Sequence, residues 1–210
     1  MDLHQMLQSA KLVPIVTLRN EKSIEIIKTV IEQSAIEIVE VAFRSRFAVK
    51  AIEKYALLNN VIVGAGTVRT RAQAEQAVEA GAKFLISPGY DPEIVKFAID
   101  HNIPIIPGVL TPTEIMRGMS EAGLSVFKLF PANLIGGLSA IKALSGPFFD
   151  VKFLPTGGVN RDNYLEFLRE KQVIAVGGSF IINDKITENE IEEEIKKVNL
   201  LLEKANKIES

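Results

Sequence analysis

The chain has 210 residues, 47% of them hydrophobic, which is enough for one sizeable core and bounds the answer at one or two domains. Its 24 lysines and arginines stand against 26 aspartates and glutamates, a net charge of -2, so there is no basic excess for nucleic acid or an anionic membrane surface. The absence of cysteine removes disulfides, thiolate metal sites and cysteine nucleophiles together, and no apolar run approaches the ~20 residues of a bilayer span.

The opening stretch MDLHQMLQSAKLVPIV lacks a basic segment followed by a long apolar one, so no signal peptide is expected and the expected location is cytoplasmic. From there, apolar and β-branched runs begin near Leu12, Ile36, Val61, Phe84, Ile103, Val126, Val151 and Val173, spaced 19 to 25 residues apart. Most lead into Gly, Pro, Ser or Thr and then into a helical pattern. Helix starts are legible at Asp91 with Pro92 behind it, and at Thr111, Pro112 and Glu114, which form a capping box. A second box, Thr187 to Glu190, opens the last helix, whose Ile191, Ile195, Val198 and Leu202 recur at helical spacing. His4 and His101 sit beside polar residues and read as surface histidines, so no metal site is expected.

Eight strand–helix units without a linker or composition shift predict an α/β chain that is one domain over 1–210, a compact (β/α)8 TIM barrel. The rival is a doubly wound open sheet. It is disfavoured because VTLRN stands where a glycine fingerprint belongs, and because polar and glycine-rich residues recur at the ends of many strands.

Those strand ends are the functional face of a barrel. Alternation puts Val126, Lys128 and Phe130 on one face, Ile38, Glu40 and Ala42 on another, and Val61, Val63 and Thr67 on a third if the strand runs straight. Lys128 and Glu40 are then both placed to point inward, as a structural ion pair or as a nucleophile and its acid–base. Apolar neighbours such as Phe127, Leu129 and Phe130 disfavour an ammonium, and a neutral amine attacks a ketone to form a Schiff base. Gly157 and Gly158 of PTGG, with Gly178 and Ser179 of VGGS, follow the seventh and eighth runs, where barrels bind phosphate through backbone amides. GAGT, Gly64 to Thr67, reads as a tight turn, and Arg44 and Arg19 suit a carboxylate or phosphate.

The motifs VEVAFRS, VGAGTV, ISPG, IPGV, FKLFPA, GPF, LPTGGV and GGS resemble, in order and spacing, the 2-keto-3-deoxy-6-phosphogluconate and 4-hydroxy-2-oxoglutarate aldolases, over about Val13 to Phe180. The resemblance implies a class I, metal-independent and cofactor-free pyruvate aldolase, a homotrimeric (β/α)8 barrel. Its implied partners are a small 2-keto acid and an aldehyde phosphate, with neither nucleic acid nor membrane. It implies Lys128 as Schiff-base lysine, Glu40 as general acid–base, and Arg44 and Thr67 at the pyruvate carboxylate. Thr156 is implied in stereochemistry, Phe130 as the aromatic wall, and Gly157, Gly158, Gly178 and Ser179 at the phosphate. Ala42 and Asn133 depart from the family's usual threonine and glutamate. Rival activities are cleavage of the 6-phosphogalactonate epimer or of 4-hydroxy-2-oxoglutarate, and more remotely a phosphosugar isomerase or a non-catalytic phosphosugar-binding barrel.

Overall fold

Runs that are apolar at every position, rather than at alternate ones, mark strands covered on both faces. LVPIV (β1, Leu12–Val16) is such a run, and IVEVA (β2, Ile38–Ala42), apolar except at Glu40, is likewise buried from end to end. The computed structural model describes residues 3–208. After a first helix α1 (Leu3–Ala10), strands and helices alternate: β1, α2 (Glu21–Gln33), β2, α3 (Ala48–Tyr55), β3 (Ile62–Gly66), α4 (Arg71–Glu79), β4 (Leu85–Ile86) and α5 (Pro92–Asp100). They continue as β5 (Ile105–Ile106), β6 (Gly108–Val109), α6 (Pro112–Ala122), β7 (Val126–Leu129), α7 (Leu138–Ser145), β8 (Lys152–Pro155), α8 (Tyr164–Leu168), β9 (Val176–Gly178) and α9 (Ile191–Asn206).

All strand pairs are parallel and form two ladders, β5-β4-β3-β2-β1-β9 and β6-β7-β8. The order follows the sequence and brings β9 back beside β1, without the reversal a doubly wound sheet requires. The fold is thus α/β with a curled parallel sheet. Its strand count differs from the eight expected. Pro107, which has no amide hydrogen, divides the fifth run into β5 and β6, and the eighth run pairs at Val173 only through one bridge to Phe153 before β9 begins at Val176.

Two apolar clusters follow from strand alternation. The outer one packs Val39, Val41, Val63, Ala65, Phe127, Leu129 and Phe153 against the helices. The inner one gathers Val13, Ile38, Phe84, Ile86, Ile106, Val126 and Leu154, and Met6, Leu7 and Ala10 of α1 close it at the N-terminal end of the strands. The expected parity holds for β2 and β7 and is corrected for β3. There Val63 packs outward, Ile62 packs against the inner cluster, and Thr67 lies beyond the strand.

The expected caps form. Asp91 Oδ1 accepts from the amides of Glu93 and Ile94 at 2.9 and 3.0 Å, and both capping boxes are complete. The box at Thr187 caps a single 3-10 turn, Glu188–Glu190, and α9 follows it. In α9 the buried positions are Glu194, Val198, Leu201, Leu202 and Ala205, while Ile191 and Ile195 lie at the core's edge.

Candidate active site

Each polar residue of the site stands two positions after an inward apolar one, so it forms the next layer up on the same strand face. Glu40 follows Ile38 on β2, Lys128 follows Val126 on β7, and Thr156 follows Leu154 at the end of β8. This layer lies above the apolar floor at the C-terminal ends of the strands. Glu40 is 0% and Lys128 2% exposed, and Lys128 Nζ lies 3.5 Å from Glu40 Oε1. Residues 88 apart in sequence are therefore brought into one buried pair. Taking two charges out of water costs several kcal/mol each, and a pair of apolar side chains of similar volume is often as stable. The Phe130 ring stands beside the amine, its centroid 5.3 Å from Nζ.

The third strand makes room for this pair. Gly64 and Gly66 are not in a tight turn, as GAGT suggested, but within β3, paired with Glu40 and Ala42 of β2. A Cβ on Gly64 would lie 2.2 Å from the Phe84 ring, and one on Gly66 would lie 1.8 Å from Glu40 Oε1. The two glycines are the spaces into which the floor phenylalanine and the carboxylate fit. Beyond them the chain turns at Thr67, whose φ of +56° is rare for a β-branched residue. The Thr67 hydroxyl accepts from Arg44 Nε at 3.2 Å, so these two predicted site residues do meet.

Glu40 Oε2 and Thr156 Oγ1 are buried side-chain atoms that have no hydrogen-bond partner among the described residues. Unpaired buried polar atoms cost about 1–3 kcal/mol each, and they mark a place where binding or chemistry supplies the partner. Thr156 has its own glycine. A Cβ on Gly177 would meet Thr156 Oγ1 at 2.7 Å. Sequence reasoning missed both roles, of Gly66 and of Gly177, because they depend on which strand lies alongside.

Gly157 and Gly158 have φ of +86° and +83°. The turn after β7 is laced onto them, with Ala132 N donating to Thr156 O at 2.9 Å and Asn133 N to Gly157 O at 3.1 Å. Asn133 also packs over Gly158, where a Cβ would fall 2.3 Å from its own. Gly178 ends β9 beside Phe180, and Ser179 is exposed just beyond it. Arg19 is exposed and lines a separate recess of about 250 Å³ with Asn20, Asp184 and Lys185.

Comparison with known proteins adds to this geometry. The family model for KDPG and KHG aldolase matches residues 3–198. A 2-dehydro-3-deoxy-phosphogluconate aldolase of Treponema pallidum is 40% identical over 182 residues, 86% of each chain. The KHG/KDPG aldolase of Escherichia coli K12 is 39% identical over 178 residues, 84% of this chain and 83% of its own. Among solved structures, a Legionella pneumophila KDPG aldolase with pyruvate captured at low pH as a covalent carbinolamine intermediate superposes with a TM-score of 0.82 at 34% identity. The match covers 100% of this chain and 99% of that one.

Proposed function

The chain belongs to the KDPG and KHG aldolase family, and on that premise we propose that it cleaves 2-keto-3-deoxy-6-phosphogluconate reversibly to pyruvate and glyceraldehyde 3-phosphate through a Schiff base on Lys128. The observation that carries this reading is the buried Lys128–Glu40 pair, 3.5 Å apart above an apolar floor. It supplies an amine and a proton carrier side by side, which is what imine chemistry needs.

The steps follow from that pairing. Lys128 Nζ attacks the C2 ketone to give a carbinolamine, and loss of water leaves a protonated imine. Glu40 takes the proton of the C4 hydroxyl as the C3–C4 bond breaks, and the electron pair of that bond moves into the enamine. The aldehyde departs, Glu40 returns a proton to C3, and hydrolysis frees pyruvate and the amine. Arg44, joined to Thr67, holds the carboxylate end, and Phe130 walls the imine. Thr156 faces the new C–O centre, and the amides of Gly157, Gly158, Gly178 and Ser179 receive the phosphate. No step in this sequence uses a metal, so a chelator leaves kcat/KM unchanged; a loss restored by a divalent cation contradicts the scheme.

The same reading takes residues 1–210 as one domain. It takes the two ladders as the parts of one closed (β/α)8 barrel, interrupted only at Pro107 and at the Phe153–Val173 bridge. A homotrimer and a cytoplasmic location complete it.

Cleavage of 4-hydroxy-2-oxoglutarate is the second reading, because it shares the pyruvate half and hence the Lys128 and Glu40 chemistry. The two substrates differ at the aldehyde end. Measured kcat/KM for the phosphogluconate compound, its phosphogalactonate epimer and 4-hydroxy-2-oxoglutarate decides between them, with the first expected to be the largest. Ser179→Asp tests the phosphate end. It weakens the phosphorylated substrates and spares 4-hydroxy-2-oxoglutarate, whereas equal losses count against that assignment.

A further inference from the structure

Among the described residues one carboxylate besides Glu40 is buried, and the reaction scheme does not use it. Glu194 is 2% exposed on the face of α9 that also carries Val198, Leu201 and Leu202. A carboxylate on such a face is costly unless it is hydrogen-bonded. Its Oε1 accepts the backbone amide of Asn183 at 2.6 Å, a short charge-assisted bond. The neighbouring Asp184 carboxylate accepts the amide of Thr17 at 2.8 Å, just past the end of β1. On the other side, Arg161 Nε donates to the carbonyl of Phe180 at 3.2 Å.

The segment 179–184 thus runs from the end of β9 held by the side chains of Glu194 and Arg161 and, through its own Asp184 carboxylate, by the backbone after β1. Ile181 and Ile182 are fully buried and set its depth. Apolar contact is non-directional, so it does not set where the backbone lies along the rim. The hydrogen bonds at Phe180, Asn183 and Asp184 do. What they fix is the course of the chain immediately after Gly178 and Ser179.

We propose that Glu194 is a positioning residue for the phosphate end of the substrate, holding the 179–184 segment through Asn183, with Asp184 on Thr17, so that the Gly178 and Ser179 amides keep a fixed distance from Lys128. This inference rests on the assignment of those two amides to the phosphate. Glu194 itself touches no reacting atom, so its loss acts on binding of the phosphorylated half and leaves the Lys128–Glu40 chemistry intact.

Steady-state kinetics of Glu194→Ala and Glu194→Gln with 2-keto-3-deoxy-6-phosphogluconate and with 4-hydroxy-2-oxoglutarate tests it. For Glu194→Ala the expected result is a KM about five- to tenfold higher for the phosphorylated substrate, the equivalent of one hydrogen bond, with kcat and the second substrate within about twofold. Glu194→Gln, whose amide oxygen still accepts from Asn183, restores most of the loss. Equal losses on both substrates, or no change on either, overturn the proposal. Should Glu194→Ala fail to fold, Asp184→Ala carries the same comparison with the same expected selectivity, and a non-selective effect there overturns it equally. Ser179→Asp separates the two ideas: if it is selective while the Glu194 and Asp184 variants are not, the tether fails and the phosphate assignment stands. If it is not selective, the assignment itself has failed.

Discussion

A methyl group added to Gly66 would have to occupy the place of Glu40 Oε1, which lies 1.8 Å from where its Cβ would stand. Gly66→Ala therefore pushes the carboxylate away from Lys128. Because a positioned acid–base contributes about 10²–10⁴-fold, the variant should lose on the order of 10²-fold in kcat. Adding Glu40→Asp, one methylene shorter, should recover part of that loss; a double variant no better than Gly66→Ala means that the glycine serves only the fold. Lys128 and Glu40 were legible in the sequence because strand alternation needs only local parity, and each shares its face with an apolar residue two positions before it. Gly66 and Gly177 were not, since their function is to accommodate a side chain from an adjacent strand. Register across strands is not written in either strand alone.

At the scale of single elements, α6 offers a test of the caps. Burial works against an ionised Glu114, but hydrogen bonds from Leu110 N, Thr111 Oγ1 and Thr111 N outweigh it and hold the carboxyl below its ordinary value. A depressed folded-state value stabilises the fold above the unfolded pKa, and that contribution is lost as pH falls through the folded one. Glu114→Gln should then melt below the parent at pH 7, by the equivalent of about 1 kcal/mol, and the gap should close below about pH 4. A gap that does not change with pH contradicts the role of the charge. The boxes and the Asp91 cap could be read from sequence because a cap is a local pattern of side chain and nearby amide. The break at Pro107 could have been read as well, from the missing amide in IIPGV. The tether from Glu194 to Asn183 could not, because it joins a helix to a loop with no pattern in common.

For the whole molecule, α1 and the layer of Lys128 and Glu40 lie at opposite ends of the same apolar interior. Leu7, fully buried, closes the N-terminal end together with Met6 and Ala10. Leu7→Ala should cost about 2–5 kcal/mol of stability with kcat/KM unchanged at temperatures where the protein remains folded. A comparable loss of kcat/KM would show that the two ends are coupled. The regular spacing of apolar runs made the α/β alternation and the parallel sheet legible, whereas the plug was not, because the apolar face that Leu3, Met6, Leu7 and Ala10 make at helical spacing says nothing of which surface it covers. The proposed imine forms on the buried amine of Lys128. The direct measurement is to incubate the enzyme with pyruvate, reduce with borohydride, digest, and locate the adduct by mass spectrometry. One reduced pyruvate on the peptide containing Lys128, absent in Lys128→Met, is the predicted result; no adduct, or an adduct on another lysine, contradicts it.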